Sequence, residues 1–133
     1  MSTLKVNTIQ DASGNNASTT AQIEQGRAKV WVNFNGTGTV AIRDSFNTSS
    51  ITDNGTGDYT VTYSSAMSDT NYAVSALAKQ NDSTSGGFCG IVLKGQTLAN
   101  TYSTTFFRLQ NVGYGSGNLF DAVATNVVVF GDQ

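Results

Sequence analysis

The sequence predicts an all-β chain, an antiparallel β-sandwich of jelly-roll-like or meander type, and three observations predict it. Ser, Thr, Asn and Gly make up about two-fifths of the 133 residues, well above ordinary usage. Apolar residues alternate with polar ones over short runs instead of recurring at helical spacing. Gly- and Asn-rich breaks separate those runs. Ser, Thr and Asn compete for backbone hydrogen bonds and Gly costs backbone entropy, so this composition disfavours helix and suits strands joined by tight turns. A parallel βαβ fold needs helical segments that the sequence does not offer.

Residues 1–26 form a polar leader whose main apolar anchors are Leu4, Val6 and Ile9, followed by the turn-rich DASGNNASTT. This stretch cannot make a core alone. It is expected to be an extended N-terminal arm whose Leu4, Val6 and Ile9 attach to a neighbouring subunit or particle, with residues 27–133 forming the sandwich. Residues 21–25 read as a helical turn without a clear capping box. From Arg27 the pattern turns to strict alternation, with Ala28, Val30, Val32 and Phe34 on one side and Lys29, Trp31 and Asn33 on the other. That is a half-buried strand.

Asn35-Gly36-Thr37-Gly38 then separates this run from Thr39-Val40-Ala41-Ile42-Arg43, an Asn-Gly hairpin signal. The device recurs in ITDNGTGDYTVTYSSAM, with strands expected at residues 46–51 and 59–63 around a second NGTG. Two copies are too few for a solenoid. Further strands are expected at residues 72–78, 88–93, 103–110 and 119–130, separated by NDSTSGG, KGQTLANT and VGYGSGN. Val127-Val128-Val129-Phe130 does not alternate, which predicts a strand covered on both faces.

Net charge is −2 and the pI is about 4.7, so no basic surface is expected for nucleic acid or an anionic membrane. The apolar runs fall far short of the roughly 20 residues that span a bilayer, and MSTLKVNTIQ does not read as a secretory signal. With one Cys there is no internal disulfide, which fits assembly in a reducing cytosol. Asp53, Asn54 and Asp58 raise the question of a calcium loop, but Gly55 stands at the third position and Ser64 where an EF-hand places its bidentate Glu. The alternative is a turn in which Gly55 and Gly57 supply positive φ and Asp53 and Asn54 bond nearby amides, and this reading is preferred. Cys89 has no His to activate it and reads as a buried strand residue. One Cys and no His cannot build the usual zinc site, and no GK[ST] pattern occurs. A paired-carboxylate glycosidase is disfavoured because Asp11, Asp44, Asp53, Asp58, Asp69 and Asp82 sit beside turn residues. No enzyme, cofactor or metal is therefore expected.

Aromatic residues are the remaining candidates for contact with a glycan or an interface. Trp31 lies opposite Val30 and Val32, and packing against a second sheet or a subunit is its preferred reading. Tyr102 and Tyr114, in Gly- and Ser-rich loops, are the better glycan candidates. Tyr59 and Tyr63 share a face with Val61.

TLKVNTIQDASGNN at residues 3–16 and GRAKVWVNFNGTGTVAIRDSFNTSSITDNGTGDYTVTYSSAM at residues 26–67 resemble segments of tail-fibre-like and other virion structural proteins of tailed bacteriophages, particularly phages of cyanobacteria. The likeness lies in the first half of the chain; residues 68–133 share only the style of β-domain. It implies a non-enzymatic particle component, usually a homotrimer, with an N-terminal segment that attaches to or intertwines with neighbours and a β-rich domain projecting outward. Partners would be further copies of itself, other virion proteins of tail or capsid, and a host surface glycan, without nucleic acid or membrane insertion. Localisation would be the virion, after assembly in host cytoplasm. Phage fibres are often several times longer, which leaves three roles open: a small tail fibre or host-adhesion module, a capsid cement or decoration protein stabilising the head, and a carbohydrate-binding module.

Overall fold

The computed structural model describes residues 1–79, 101–113 and 117–133, together with the backbone of residues 89–93. Asp82 and Tyr114 lie outside the described residues, as does the NDSTSGG break. The fold is all-β, two four-stranded antiparallel sheets stacked as a sandwich. The first sheet has the order β4-β3-β10-β7, built from β3 (Val30–Asn35), β4 (Ala41–Phe46), β7 (Ala73–Lys79) and β10 (Ala124–Phe130). The second has the order β5-β6-β9-β8, from β5 (Thr48–Gly55), β6 (Asp58–Tyr63), β8 (Cys89–Leu93) and β9 (Phe106–Gly113). A small ladder of β1 (Thr8–Ile9) and β2 (Ser18–Thr19) precedes α1 (Thr20–Gly26).

Alternation places the core as the sequence indicates. Val30, Val32 and Phe34 of β3 face Tyr59, Val61 and Tyr63 of β6 across the sandwich, with Phe107 and Leu109 of β9 and Val127 and Val129 of β10 completing the buried cluster. Each such side chain contributes about 1.5–3 kcal/mol through burial. The chain is not a simple meander, because the first strand of the sandwich pairs with the last: Val32 stands opposite Val127 and Trp31 opposite Val128. Hydrogen-bonded neighbours β3–β4, β5–β6 and β8–β9 stay within one sheet, and the other links cross between sheets.

Several strand limits differ from expectation. Phe46 closes β4 and does not open the following strand, because the chain changes sheets at Asn47. Asn47 adopts φ 54°, which Asn tolerates better than most residues, and its side chain clamps the corner by accepting from Ser65 N–H at 2.7 Å and donating to Ser65 O at 3.1 Å. β10 starts at Ala124, since residues 119–123 are drawn into contacts at one end of the sandwich. Its VVVF run is not covered on both faces: Val127 and Val129 are buried, Val128 is half-buried and Phe130 is 38 % exposed. Tertiary position overrides composition here, because among the described residues nothing forms a third layer over the first sheet.

Among residues 1–27 none is buried and only Ser18 is intermediate, and the apolar Leu4, Val6, Ile9 and Ile23 are 82 %, 39 %, 54 % and 44 % exposed. Helix α1 does have a capping box, with Thr19 Oγ1 accepting from Gln22 N–H and Gln22 Oε1 accepting from Thr19 N–H. The Thr-x-x-Gln spacing is the signature of that motif, and it was the legible signal for this helix start. Lys29 departs from the exposed side of its alternation. It is buried, and its Nζ bonds Glu24 Oε1 of α1, which holds the Glu24 carboxyl below its usual range and ties the helix to the sandwich.

Burial pushes the hydroxyl pKa values of Tyr59, Tyr63, Tyr72 and Tyr102 upward. Below about pH 10, the ordinary tyrosine value, their contribution to stability is complete. Above it the unfolded chain loses phenolic protons that the folded chain retains, so stability falls as pH rises toward the folded values. In an alkaline titration, tyrosinate absorbance should rise together with loss of the β circular-dichroism signal; substantial ionisation ahead of unfolding would contradict this packing.

Candidate functional site

The two NGTG segments meet at one end of the sandwich, and the same tetrapeptide makes two different turns. In residues 54–57 the loop is tight: Gly55 stands opposite Asp58, and Gly55 and Gly57 have φ 124° and 65°. At Gly57 a Cβ would lie 2.7 Å from Phe120 O, so Gly is required there by conformation and by space. In residues 35–38 the loop is wider, Asn35 Nδ2 donates to Thr37 O at 2.6 Å, and Gly38 takes φ 63°. Gly36 is needed for a different reason, because the Tyr59 hydroxyl occupies the space of its missing side chain.

The oxygens of Asp53, Asn54 and Asp58 do not converge. Asp53 Oδ1 accepts from Gly55 N–H at 2.9 Å, and Asn54 Nδ2 donates to Thr60 Oγ1 at 2.9 Å. Asp58 is buried on the outer side of the second sheet in a two-pronged pair with Arg108, Nε to Oδ1 at 2.7 Å and Nη2 to Oδ2 at 3.0 Å. Gln110 Nε2 also donates to Asp58 Oδ2 at 3.2 Å. These bonds push the Arg108 pKa further up, so the guanidinium stays charged. Among the described residues no three His, Cys, Asp or Glu side chains group as metal ligands.

The Tyr59 hydroxyl lies 2.7 Å from Asp121 Oδ1 and 3.0 Å from Gly36 O, and the same Asp121 oxygen accepts from Gly57 N–H at 2.7 Å. The carboxylate thus links the entry to β10 with the second sheet's turn, and the Tyr59 hydroxyl beside it reaches the first sheet's loop. Sequence reading did not single out Asp121, because its partners are more than 60 positions away.

The aromatic candidates separate. Tyr102 packs on the core, its ring 5.1 Å from that of Tyr72, and is not a free-standing platform. Tyr114 lies outside the described residues. Trp31 is half-buried on the outer face of the first sheet, in a row that runs Phe46, Trp31, Val128, Ser75 across the four strands. The next row is Asp44, Asn33, Asn126, Leu77, where Asn33 Nδ2 donates to Asn126 Oδ1. Phe46 is 48 % and Leu77 72 % exposed, and Phe130 lies on the same face beyond Val128. Leu4, Val6 and Ile9 are also exposed, at 82 %, 39 % and 54 %. The outer side of β5, β6 and β9 presents Thr52, Thr60, Thr62, Arg108 and Gln110 together with half-buried Phe106 and Val112.

Sequence reasoning found Trp31 but missed Phe46, Leu77 and Phe130 as its companions. The signal was present in the VVVF run, whose apolar residues fall on both faces; which strands lie beside it is a long-range fact. A shallow cleft of about 310 Å³ adjoins this face, lined by Gln25, Asp69, Asn71, Ala73, Phe130, Gly131 and Asp132. Asp69 Oδ1 is engaged by Asn71 N–H at 2.7 Å, which makes it part of a local turn.

Replacing Tyr59→Phe removes a buried hydroxyl bonded to a carboxylate and should cost about 2 kcal/mol in denaturant unfolding. A change under a few tenths would show that the contact is incidental. Calcium added to the purified protein should give no binding heat by calorimetry, and micromolar affinity would overturn the turn reading of residues 53–58. Comparison with protein-family models, curated proteins and solved structures finds no match.

Proposed function

We propose that this chain is a non-enzymatic structural protein of a phage virion, a small tail fibre or host-adhesion module that works as a homotrimer. The observation that carries the reading is the resemblance of residues 3–16 and 26–67 to virion proteins of tailed phages. Two physical features support it. The sandwich is stiff, with tight turns and polar bonds linking its sheets, and suits an exposed particle surface. The N-terminal segment carries apolar residues, Leu4, Val6 and Ile9, that stay exposed in their own chain, as an attachment segment would. In this reading residues 1–26 attach to neighbouring copies or to other virion proteins, and the sandwich projects toward a host surface glycan.

A second reading is a capsid cement or decoration protein, and the apolar outer face around Trp31 favours it, since a cement acts through contact area alone. Light scattering of the purified protein should give the mass of a trimer; a stable monomer at all concentrations would count against both roles. Quantitative mass spectrometry of virions distinguishes them: tens of copies per particle fit a fibre, hundreds a cement.

A further inference from the structure

Asn followed by Gly occurs twice in this chain, at residues 35–36 and 54–55. The dipeptide carries latent chemistry, because the glycine nitrogen can attack the asparagine side-chain carbonyl with no side chain of its own in the way. Two conditions decide whether it does so in a folded protein. The glycine N–H has to be open to a base, and the asparagine has to be free to turn toward the attack.

At residues 35–36 neither condition holds. Gly36 is buried, its N–H donates to Ala122 O at 2.8 Å, and the Tyr59 hydroxyl fills the space of its missing side chain. Asn35 is held at both ends of its amide: Nδ2 donates to Thr37 O at 2.6 Å and Oδ1 accepts from Thr37 Oγ1 at 2.9 Å. At residues 54–55 both conditions hold. Asn54 and Gly55 are exposed on β5, an edge strand of the second sheet. The ladder shifts register at this point, with Asp53 opposite Tyr59 and Gly55 opposite Asp58, so no residue of β6 stands opposite Asn54. Gly55 N–H donates to the exposed Asp53 Oδ1 at 2.9 Å, and Asn54 Nδ2 to Thr60 Oγ1 at 2.9 Å. Water replaces bonds of this kind at small net cost.

We infer that Asn54 is a site of spontaneous deamidation in the folded protein, and that the fold protects Asn35 in the same Asn-Gly-Thr-Gly sequence. A base takes the Gly55 amide proton, the nitrogen bonds to Asn54 Cγ, and the Cγ–Nδ2 bond breaks as ammonia leaves with a proton. Water then opens the cyclic imide at one carbonyl or the other, giving aspartate or isoaspartate. Either product sets a carboxylate where Asn54 Nδ2 now lies 3.5 Å from Asp58 Oδ1, a like charge beside the Asp58–Arg108 pair. Isoaspartate also adds a methylene to the main chain where β5 regains its register.

The full-length protein is incubated in mildly alkaline buffer made with heavy-oxygen water, at a temperature where circular dichroism shows it folded. The heavy oxygen marks conversion that precedes digestion. Trypsin then cuts after Arg43 and separates the two dipeptides, and fragment mass spectra place each converted residue. The expected result is labelled aspartate and isoaspartate at Asn54, with Asn35 converting at least about tenfold more slowly. In guanidinium chloride the two should convert at similar rates, because only the fold distinguishes them. Asn35 converting as fast as Asn54 in the folded protein overturns the inference. So does an Asn54 that stays intact in the folded protein over the time in which the unfolded chain converts. A difference that persists unchanged in guanidinium chloride overturns it too, since sequence and not the fold would then set the rates.

Discussion

The sandwich is held in one arrangement by the hydroxyl of a fully buried tyrosine. Tyr59 comes from β6, its ring stands edge-on to Phe34 of β3 at 5.1 Å, and its hydroxyl reaches Asp121 and the backbone of Gly36. Apolar packing alone lets two sheets slide, because the hydrophobic effect is not directional. A buried hydroxyl has to find its partner, and leaving it unpaired costs more than the bond is worth on balance. The requirement spreads outward: Gly36 must lack a side chain to admit the ring, Asp121 must stand where it also receives Gly57 N–H, and Gly57 must take positive φ. Asn111 of β9 and Thr125 of β10 add a second buried bond between the sheets, 3.2 Å long. At the opposite end Tyr72 repeats the arrangement, its hydroxyl 3.0 Å from the carbonyl oxygens of Ser103 and Phe106.

A body tied at both ends in this way has little freedom to change shape, which suits a component that acts by presenting surfaces. The chemistry of its exposed groups points the same way. Asp58 and Arg108 pair on the outer side of one sheet. Among its exposed side chains are large apolar ones, on the first sheet's outer face and in the short segment ahead of the sandwich.

Much of the fold was readable one strand at a time. The alternation in residues 28–34 and 59–63 identifies which side chains enter the core, because a period of two is a local property of extended backbone. Turn chemistry was equally legible at Gly55 and Gly57. Most readings that needed correction depended on which elements became neighbours in space, although Lys29 and its partner Glu24 are only five positions apart. Lys29 sits on the polar side of its strand pattern, yet Glu24 of α1 covers it. Tyr102 occupies a loop segment, yet Tyr72 draws it onto the core. The VVVF run has the composition of a doubly covered strand, yet among the described residues a covering layer lies on one side only.

By itself the sequence determined a β-rich, charge-poor chain with its inward-facing residues and its hairpin turns, since propensity, alternation and positive φ act within a few residues. Tertiary structure alone decided that the first strand of the sandwich pairs with the last, and that Asp121 serves two sheets at once. It also decided that Phe46, Trp31 and Val128 share one row. These depend on which strands become neighbours, and strand order is settled by the joint packing of the whole core, where residues about a hundred positions apart compete for the same partners.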